Sequence, residues 1–504
     1  MTLLNKVLKS ALIILLTANA AYSQQRPNWQ NLDLKEDGIF GISTDRAYRE
    51  PLAEKMSSPV IVAVIDAGVD TLHPDLKSIL WVNPRKKEGD NGTYGWSYLG
   101  SARGNVHYDN LELTREVRQY QARFAGKDSA ALRGRDLLAF HTYQSEKQEL
   151  EKKQSEATRN YQGYSGFLQV LNRITARFQQ DPPGLADFQN YQPKDRGEEQ
   201  VKNVLVQTLS QNKDFGSFKK ELEDGLQHFK QQADYQLNPE YDPRAIVGDN
   251  YPDRRQKNYG SPDVTGPDAT HGTHVAGIIA AVRNNGIGLN GIADNVRILS
   301  IRTVPDGDER DKDVANAIRY AADHGAKVIN MSFGKAYSPD KKIVDKAVRY
   351  ALKKDVLLIQ AAGNENKDID TAANYPNRVY ASGDTASAWI VVGASGMHND
   401  STLKAPFSNY GKAAVDVFAP GEQIYSSIPG SRYAYFDGTS MACPVVAGLA
   451  ALIREYYPKL TAIQVKAIIL ESVVSTPYLR NYCKTSGVVN AYRALQLAAE
   501  RSNP

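Results

Sequence analysis

The sequence predicts an α/β fold: a doubly wound, mostly parallel sheet with helices on both faces, plus an inserted α-helical subdomain. Three observations predict it. Short apolar runs recur from residue 59 onward, helical patterns alternate with them, and a long block near residues 101–240 breaks the alternation.

The strand candidates are PVIVAVID, VRILSIRTV, AKVINMSFG, VLLIQAAGN and WIVVGAS. Each is apolar at successive positions, so both faces of the strand must be covered, as in parallel sheets. The segments DVANAIRYAADHG and KKIVDKAVRYALKKD between them carry one apolar face, with Val344, Ala347, Val348 and Ala351 at helical spacing. Asp66 and Asn364 close two of the strand runs, and in such sheets ligands bind at the carboxyl ends of strands.

Residues 101–240 are rich in Gln, Lys, Glu and Tyr and nearly lack strand patterns. Phe167, Leu168, Val170, Leu171, Ile174 and Phe178 follow one helical face, and Phe215, Phe218, Leu222, Leu226 and Phe229 another. These faces require partners, which makes the block an inserted helical subdomain. It is interrupted by DPPG at Asp181–Gly184 and closed near Pro239. The expected division is 1–23 signal peptide, 24–58 N-terminal extension, 59–100 and 241–500 main domain, and 101–240 insert.

Composition bounds the rest. At 504 residues, 41% hydrophobic and 23% charged, the chain reads as a soluble globular protein of more than one domain. A net charge of +4 with no basic block gives no argument for nucleic acid, and runs such as SEKQELEKKQSE read as solvated helix faces. Lys6, Lys9, the apolar ALIILLTANA and then AYSQQ have the pattern of a secretory signal cleaved after Ser23. That apolar run is about half of the ~20 residues a membrane span requires. The mature chain is expected to be soluble, in the periplasm or outside the cell. Its two cysteines, Cys443 and Cys483, are either one disulfide or two buried thiols.

The chemistry lies in three strings: VIDAGVD around Asp66, ATHGTHVAGI around His271 and FDGTSMACP around Ser440. A serine hydroxyl becomes a nucleophile near neutral pH when an imidazole takes its proton and a carboxylate fixes the imidazole tautomer. D-x-G after an apolar strand is common, and alone is as well explained by a turn. HGTHVAG and GTSMACPVVAG are far more specific, because each packs small residues into a helix start. A fourth string, LLIQAAGNEN, ends on Asn364, whose side-chain amide is suited to donate to a developing oxyanion.

At these residues the chain resembles the subtilisin-like serine proteases, the subtilases, over roughly residues 59–99 and 242–497. The resemblance implies a subtilisin-like fold and an endopeptidase in which Asp66 orients His271, His271 serves as general base and then acid, Ser440 attacks, and Asn364 helps form the oxyanion hole. It makes His274 structural. It places substrate contacts at Ser332, Phe333 and Gly334 on one wall and at Ala362 and Gly363 on the other. It requires no cofactor for catalysis but implies a structural calcium ion, for which Asp75, Asn284 and Asn285 offer oxygen ligands; the same Asn-Gly loop is also simply a turn. Two departures stand out: Ala67 where relatives carry Ser or Thr, and Val445 with Cys443 after the nucleophile.

The partner implied is a protein or peptide. The loop Pro305–Asp313 reads as a solvated loop, with attraction for basic substrate side chains as the alternative. The insert is tethered between the Asp66 and His271 segments, 205 positions apart, so it is either a surface decoration or a unit that touches the cleft and restricts entry. Two other functions use the same strings: a non-catalytic scaffold, and acyl transfer on non-peptide substrates. Intact catalytic positions argue against the first, and a substrate-lining strand against the second.

Overall fold

The computed structural model describes residues 26–84, 93–211 and 214–502. The secretory-signal pattern and its cleavage point lie outside those residues. The chain forms two compact units, Leu113–Tyr241 and Gln24–Glu112 with Asp242–Pro504.

The larger unit is built on a nine-stranded sheet in the order β12-β13-β9-β8-β7-β6-β1-β5-β2. Its strands are β1 Val60–Asp66, β2 Gly95–Ser97, β5 Val296–Arg302, β6 Val328–Met331, β7 Leu357–Ala361, β8 Trp389–Ser395, β9 Val417–Pro420, β12 Val474–Ser475 and β13 Gly487–Val488. Every pairing is parallel except β12 with β13. Two small hairpins stand apart: β3 Gly100–Ser101 with β4 Gly104–Asn105, and β10 Ile424–Ile428 with β11 Arg432–Phe436. The five predicted runs are β1, β5, β6, β7 and β8. Their residues are almost all buried, which follows from helices covering both faces. Residues 26–58 belong to this unit too: Trp29, Phe40 and Ile42 are fully buried in its core, and Trp29 Nε1 donates to the carbonyls of Glu422 and Gln423.

The smaller unit is helical. Its longest helix, Gly134–Thr175, has 42 residues and so runs roughly 60 Å. Helices Leu185–Asn190, Arg196–Ser210 and Phe215–Gln231 complete a core of Leu168, Leu171, Ile174, Phe188, Val201, Leu205, Leu209, Phe215, Phe218 and Leu222, separate from the core of the larger unit. The apolar faces at Phe167 and Phe215 therefore find their partners inside the helical unit. The unit starts at Leu113 rather than 101, because residues 100–105 turn back as the β3–β4 hairpin.

Candidate active site

β1 lies between β5 and β6, where the strand order changes direction, and Asp66 is its last residue. Such a switch point opens a crevice at the carboxyl edge of the sheet. His271 stands in the first turn of the helix Thr270–Ala280. His271 Nδ1 donates to Asp66 Oδ1 at 2.8 Å, and Ala67 N donates to the same oxygen at 2.8 Å. This fixes the proton on Nδ1 and leaves the Nε2 lone pair to act as a base. The close approach demands glycine next to the imidazole: a Cβ on Gly272 would lie 2.1 Å from Gly68 O and 3.1 Å from the Asp66 carboxylate. Asp66 Oδ2 is buried with no hydrogen-bond partner among the described residues, which is where the missing Ser or Thr hydroxyl at Ala67 matters.

Ser440 opens the helix Thr439–Tyr456. Its hydroxyl donates to Ser332 O at 3.1 Å, and Ser332 Oγ donates to Ser440 O at 2.9 Å. Among the described residues no hydrogen bond joins Ser440 to His271. Asn364 is aimed by its own acceptor: Oδ1 receives the N–H and the hydroxyl of Thr439, each at 2.9 Å. That leaves its NH2 group as the outward donor. A Cβ at Gly438, where φ is +154°, would lie 3.5 Å from Ser440 N and 3.6 Å from Asn364 Nδ2. Two N–H donors thus border one small volume beside the nucleophile, at a helix N-terminus whose dipole favours negative charge.

Burial pulls the His271 imidazolium down, but the charge and hydrogen bond of Asp66, joined by Asp268, outweigh it and the pKa is raised above the ordinary histidine value. His274 is the opposite case. Burial pushes it down to about 3; its ring stacks on Phe436, and Nε2 donates to Ala434 O at 3.1 Å. A pocket of about 290 Å³ adjoins the pair, lined by Asp66, His271, Val304 and Ser332, with the carboxylates of Asp268 and Asp306 on its walls.

The remaining predicted positions divide. Ser332–Gly334 runs on from β6, which is flanked by β7 and β1 and is not an edge strand; Ser332 is hydrogen-bonded to Ser440 and Phe333 is mostly buried. Ala362 and Gly363 have their polar groups taken by the protein. Ala362 O accepts from Asn374 and Asn409, and Gly363 N donates to Thr439 Oγ1. The calcium ligands do not fit a cation as arranged. Asp75 accepts from Asn285 Nδ2 at 2.5 Å and from the Tyr433 hydroxyl at 2.9 Å, Asn285 Oδ1 accepts from Ile287 N, and Asn284 donates its N–H to Asn290. Cys443 and Cys483 are free, buried thiols, and burial pushes Cys443 up to about 12. The Pro305–Asp313 loop is solvated only in part: Asp306–Asp308 are half-buried, Arg310, Asp311, Lys312 and Asp313 are buried in ion pairs with residues from distant segments, and the buried Glu309 gives its carbonyl to Lys335.

Sequence reasoning missed three supporting residues. Thr439 aims Asn364. Thr273 Oγ1 accepts from Asp70 N at 2.8 Å, tying the His271 helix to the loop after β1. Arg302, paired in register with Asp66, donates through Nε to Ala67 O at 2.8 Å and through Nη1 to Asn105 Oδ1 at 3.1 Å. An arginine inside a strand gives no local signal of what it will hold. The GTS triplet offered one for Thr439.

The sequence model of the Subtilase family, Peptidase_S8, matches residues 57–494. Thermitase of Thermoactinomyces vulgaris is 40% identical over 257 residues, covering 50% of this chain and 85% of that protein. The thermophilic serine proteinase of Bacillus sp. strain AK1 is 42% identical over 223 residues, 44% of this chain; the match spans about half of that protein, 49%. Subtilisin BL of Lederbergia lenta is 36% identical over 225 residues, covering 44% of this chain and 77% of the relative.

Proposed function

The chain belongs to the Subtilase family of serine endopeptidases, and from that premise we propose that it is an exported endopeptidase working through Asp66, His271 and Ser440. The observation that carries the reading is the 2.8 Å bond from His271 Nδ1 to Asp66, beside a pocket that both share with Ser332, which is itself hydrogen-bonded to Ser440. Ser440 Oγ bonds to the scissile carbonyl carbon as its proton passes to His271 Nε2. The oxyanion formed accepts hydrogen bonds from Ser440 N and Asn364 Nδ2. His271 then gives the proton to the leaving amine, the C–N bond breaks, and water repeats the sequence on the acyl-enzyme. Ser332–Gly334 lines the substrate backbone before the scissile bond. Catalysis needs no cofactor, and the partner is a protein or peptide.

The experiment is covalent labelling by a fluorophosphonate followed by peptide mapping. Label on Ser440, lost in Ser440→Ala and His271→Ala but kept in His274→Ala, supports the assignment; label elsewhere ends it. Export rests on the signal pattern before residue 24 and is tested by N-terminal sequencing of the mature protein. No helix among the described residues is long and apolar enough to cross a membrane. For the helical unit, tethered in sequence between the Asp66 and His271 segments, the reading is substrate selection through self-contact with the cleft. Replacing 113–241 by a short flexible linker then leaves small-peptide turnover nearly unchanged and speeds cleavage of folded proteins. Unaltered protein cleavage in a folded deletion variant removes that role.

A further inference from the structure

The residue after the segment read as lining the substrate is a buried lysine. Lys335 is 5% exposed, and its backbone exchanges both hydrogen bonds with Tyr375, Lys335 N to Tyr375 O at 2.9 Å and Tyr375 N to Lys335 O at 2.8 Å. Its ammonium donates to Glu112 Oε2 at 2.6 Å and Glu309 O at 2.6 Å, and lies 2.9 Å from Asp311 Oδ1. At the other end of the segment, Ser332 is hydrogen-bonded to the backbone and hydroxyl of Ser440. The wall is therefore pinned at one end to the nucleophile and at the other to Lys335, with only Phe333 and Gly334 between.

Stability alone does not explain a charge there. A buried ion pair is commonly matched or bettered by an apolar pair of equal volume, because desolvation offsets the attraction. Direction is what an ion pair adds, since the ammonium must sit where its three acceptors converge. None of the three comes from the sheet that carries Ser332. Glu309 and Asp311 belong to the loop and first turn of the helix Asp311–Asp323, and Asp311 also accepts from Ser338 Oγ and Asp340 N, holding the chain after Lys335. Glu112 is the last residue of the larger unit before the chain enters the helical one. Its own N–H is fixed by Asp308 Oδ2 at 2.8 Å.

We propose that the buried Lys335–Glu112 pair is a positioning device that sets the substrate-lining segment Ser332–Gly334 relative to Ser440, and so governs how tightly an extended peptide backbone is held. This rests on the functional reading above. Lys335 touches none of the reacting atoms. Removing the pair loosens the segment at its far end, which weakens binding of a substrate that lies along it and spares one that does not.

The test compares a tetrapeptide 4-nitroanilide with 4-nitrophenyl acetate, which has no peptide backbone, on the full chain and on Lys335→Met and Glu112→Gln. The tetrapeptide KM is expected to rise about tenfold, the size of coupling between neighbouring buried groups, while its kcat, acetate hydrolysis and fluorophosphonate labelling stay within about twofold. The double variant is expected to be no worse than Lys335→Met alone. Equal losses on both substrates, or a lowered Tm with unchanged tetrapeptide KM, overturn the proposal. If Lys335→Met does not fold, Glu112→Gln, which keeps the other two acceptors, carries the same prediction. A wild-type chain that is never labelled sinks the functional reading instead.

Discussion

Two charged clusters are buried in the larger unit, and they are satisfied very differently. Around Asp66 the carboxylate has two donors on one oxygen and none on the other among the described residues, and the nearest cation, His271, is one that can lose its charge. Around the helix Asp311–Asp323, Arg244 forks onto Asp249 and Asp313, Arg310 onto Asp109, and Lys312 onto Asp249, with Tyr251 and Tyr259 against the cations. The first cluster keeps an acceptor and a titratable proton in reserve. The second has spent its charges on one another. On the proposed reading, chemistry falls to the cluster whose satisfaction is incomplete, and rigidity to the one whose charges are paired.

The largest effects should fall on the unsatisfied side. Ser440→Ala is expected to lower peptide turnover on the order of a million-fold, the loss found for the nucleophile of subtilisin itself; the added His271→Ala should cost little more, as the two act as one unit. Asn364→Leu should cost on the order of 100–1,000-fold in kcat, again the subtilisin magnitude, with KM nearly unchanged. A KM effect instead would make Asn364 a substrate contact.

On the satisfied side the same kind of substitution should cost stability and not rate. Asp313→Ala leaves the buried Arg244 guanidinium with Asp249 as its remaining carboxylate among the described residues and takes the acceptor of the Tyr259 hydroxyl, and about 3 kcal/mol of unfolding free energy, the lower end for breaking a buried pair, should be lost in denaturant titration while kcat of the folded fraction holds. A large kcat loss with unaltered stability would erase the contrast between the clusters.

Smaller effects concern the titration of His271. Its raised pKa means that the neutral, base-competent ring is reached only above the ordinary imidazole value of about 6.5, so kcat/KM should rise with pH through a midpoint above that value. A midpoint below it would mean that burial dominates Asp66. The smallest change is expected from Ala67→Ser: a hydroxyl donated to Asp66 Oδ2 shares the carboxylate charge and should move that midpoint downward with little change in the plateau rate.

Much of the catalytic side was legible because its signals are local. HGTHVAG needs glycine and small residues where the helix meets Asp66, and the five strand runs are apolar because both faces are covered. The ionic side was not legible. Glu112 and Lys335 are 223 positions apart, and an isolated Lys or Asp in a loop looks solvated until its partner arrives. The acidic run at 305–313 was misread for that reason. Arg302 and Thr273 meet the loop after β1 through the Ala67 carbonyl and the Asp70 N–H, backbone groups that neither composition nor spacing marks.

The sheet order also fixes when this protein can begin to act. Val60 pairs with Val296, and β6 then adds on the other side of β1, so the strand bearing Asp66 has no neighbour until more than two hundred further residues have been made. The helical unit closes its core within residues 168–222 and has no such wait. Long-range parallel pairing is slow to form, and Ser440 comes later still, on a helix that packs against β6, β7 and β8. Asp66, His271 and Ser440, the groups of the proposed triad, can therefore meet only after the helix Thr439–Tyr456 has docked. On the proposed reading, a partly made chain can close its helical core but holds no working site, and the onset of hydrolysis serves as a clock for completion of the fold.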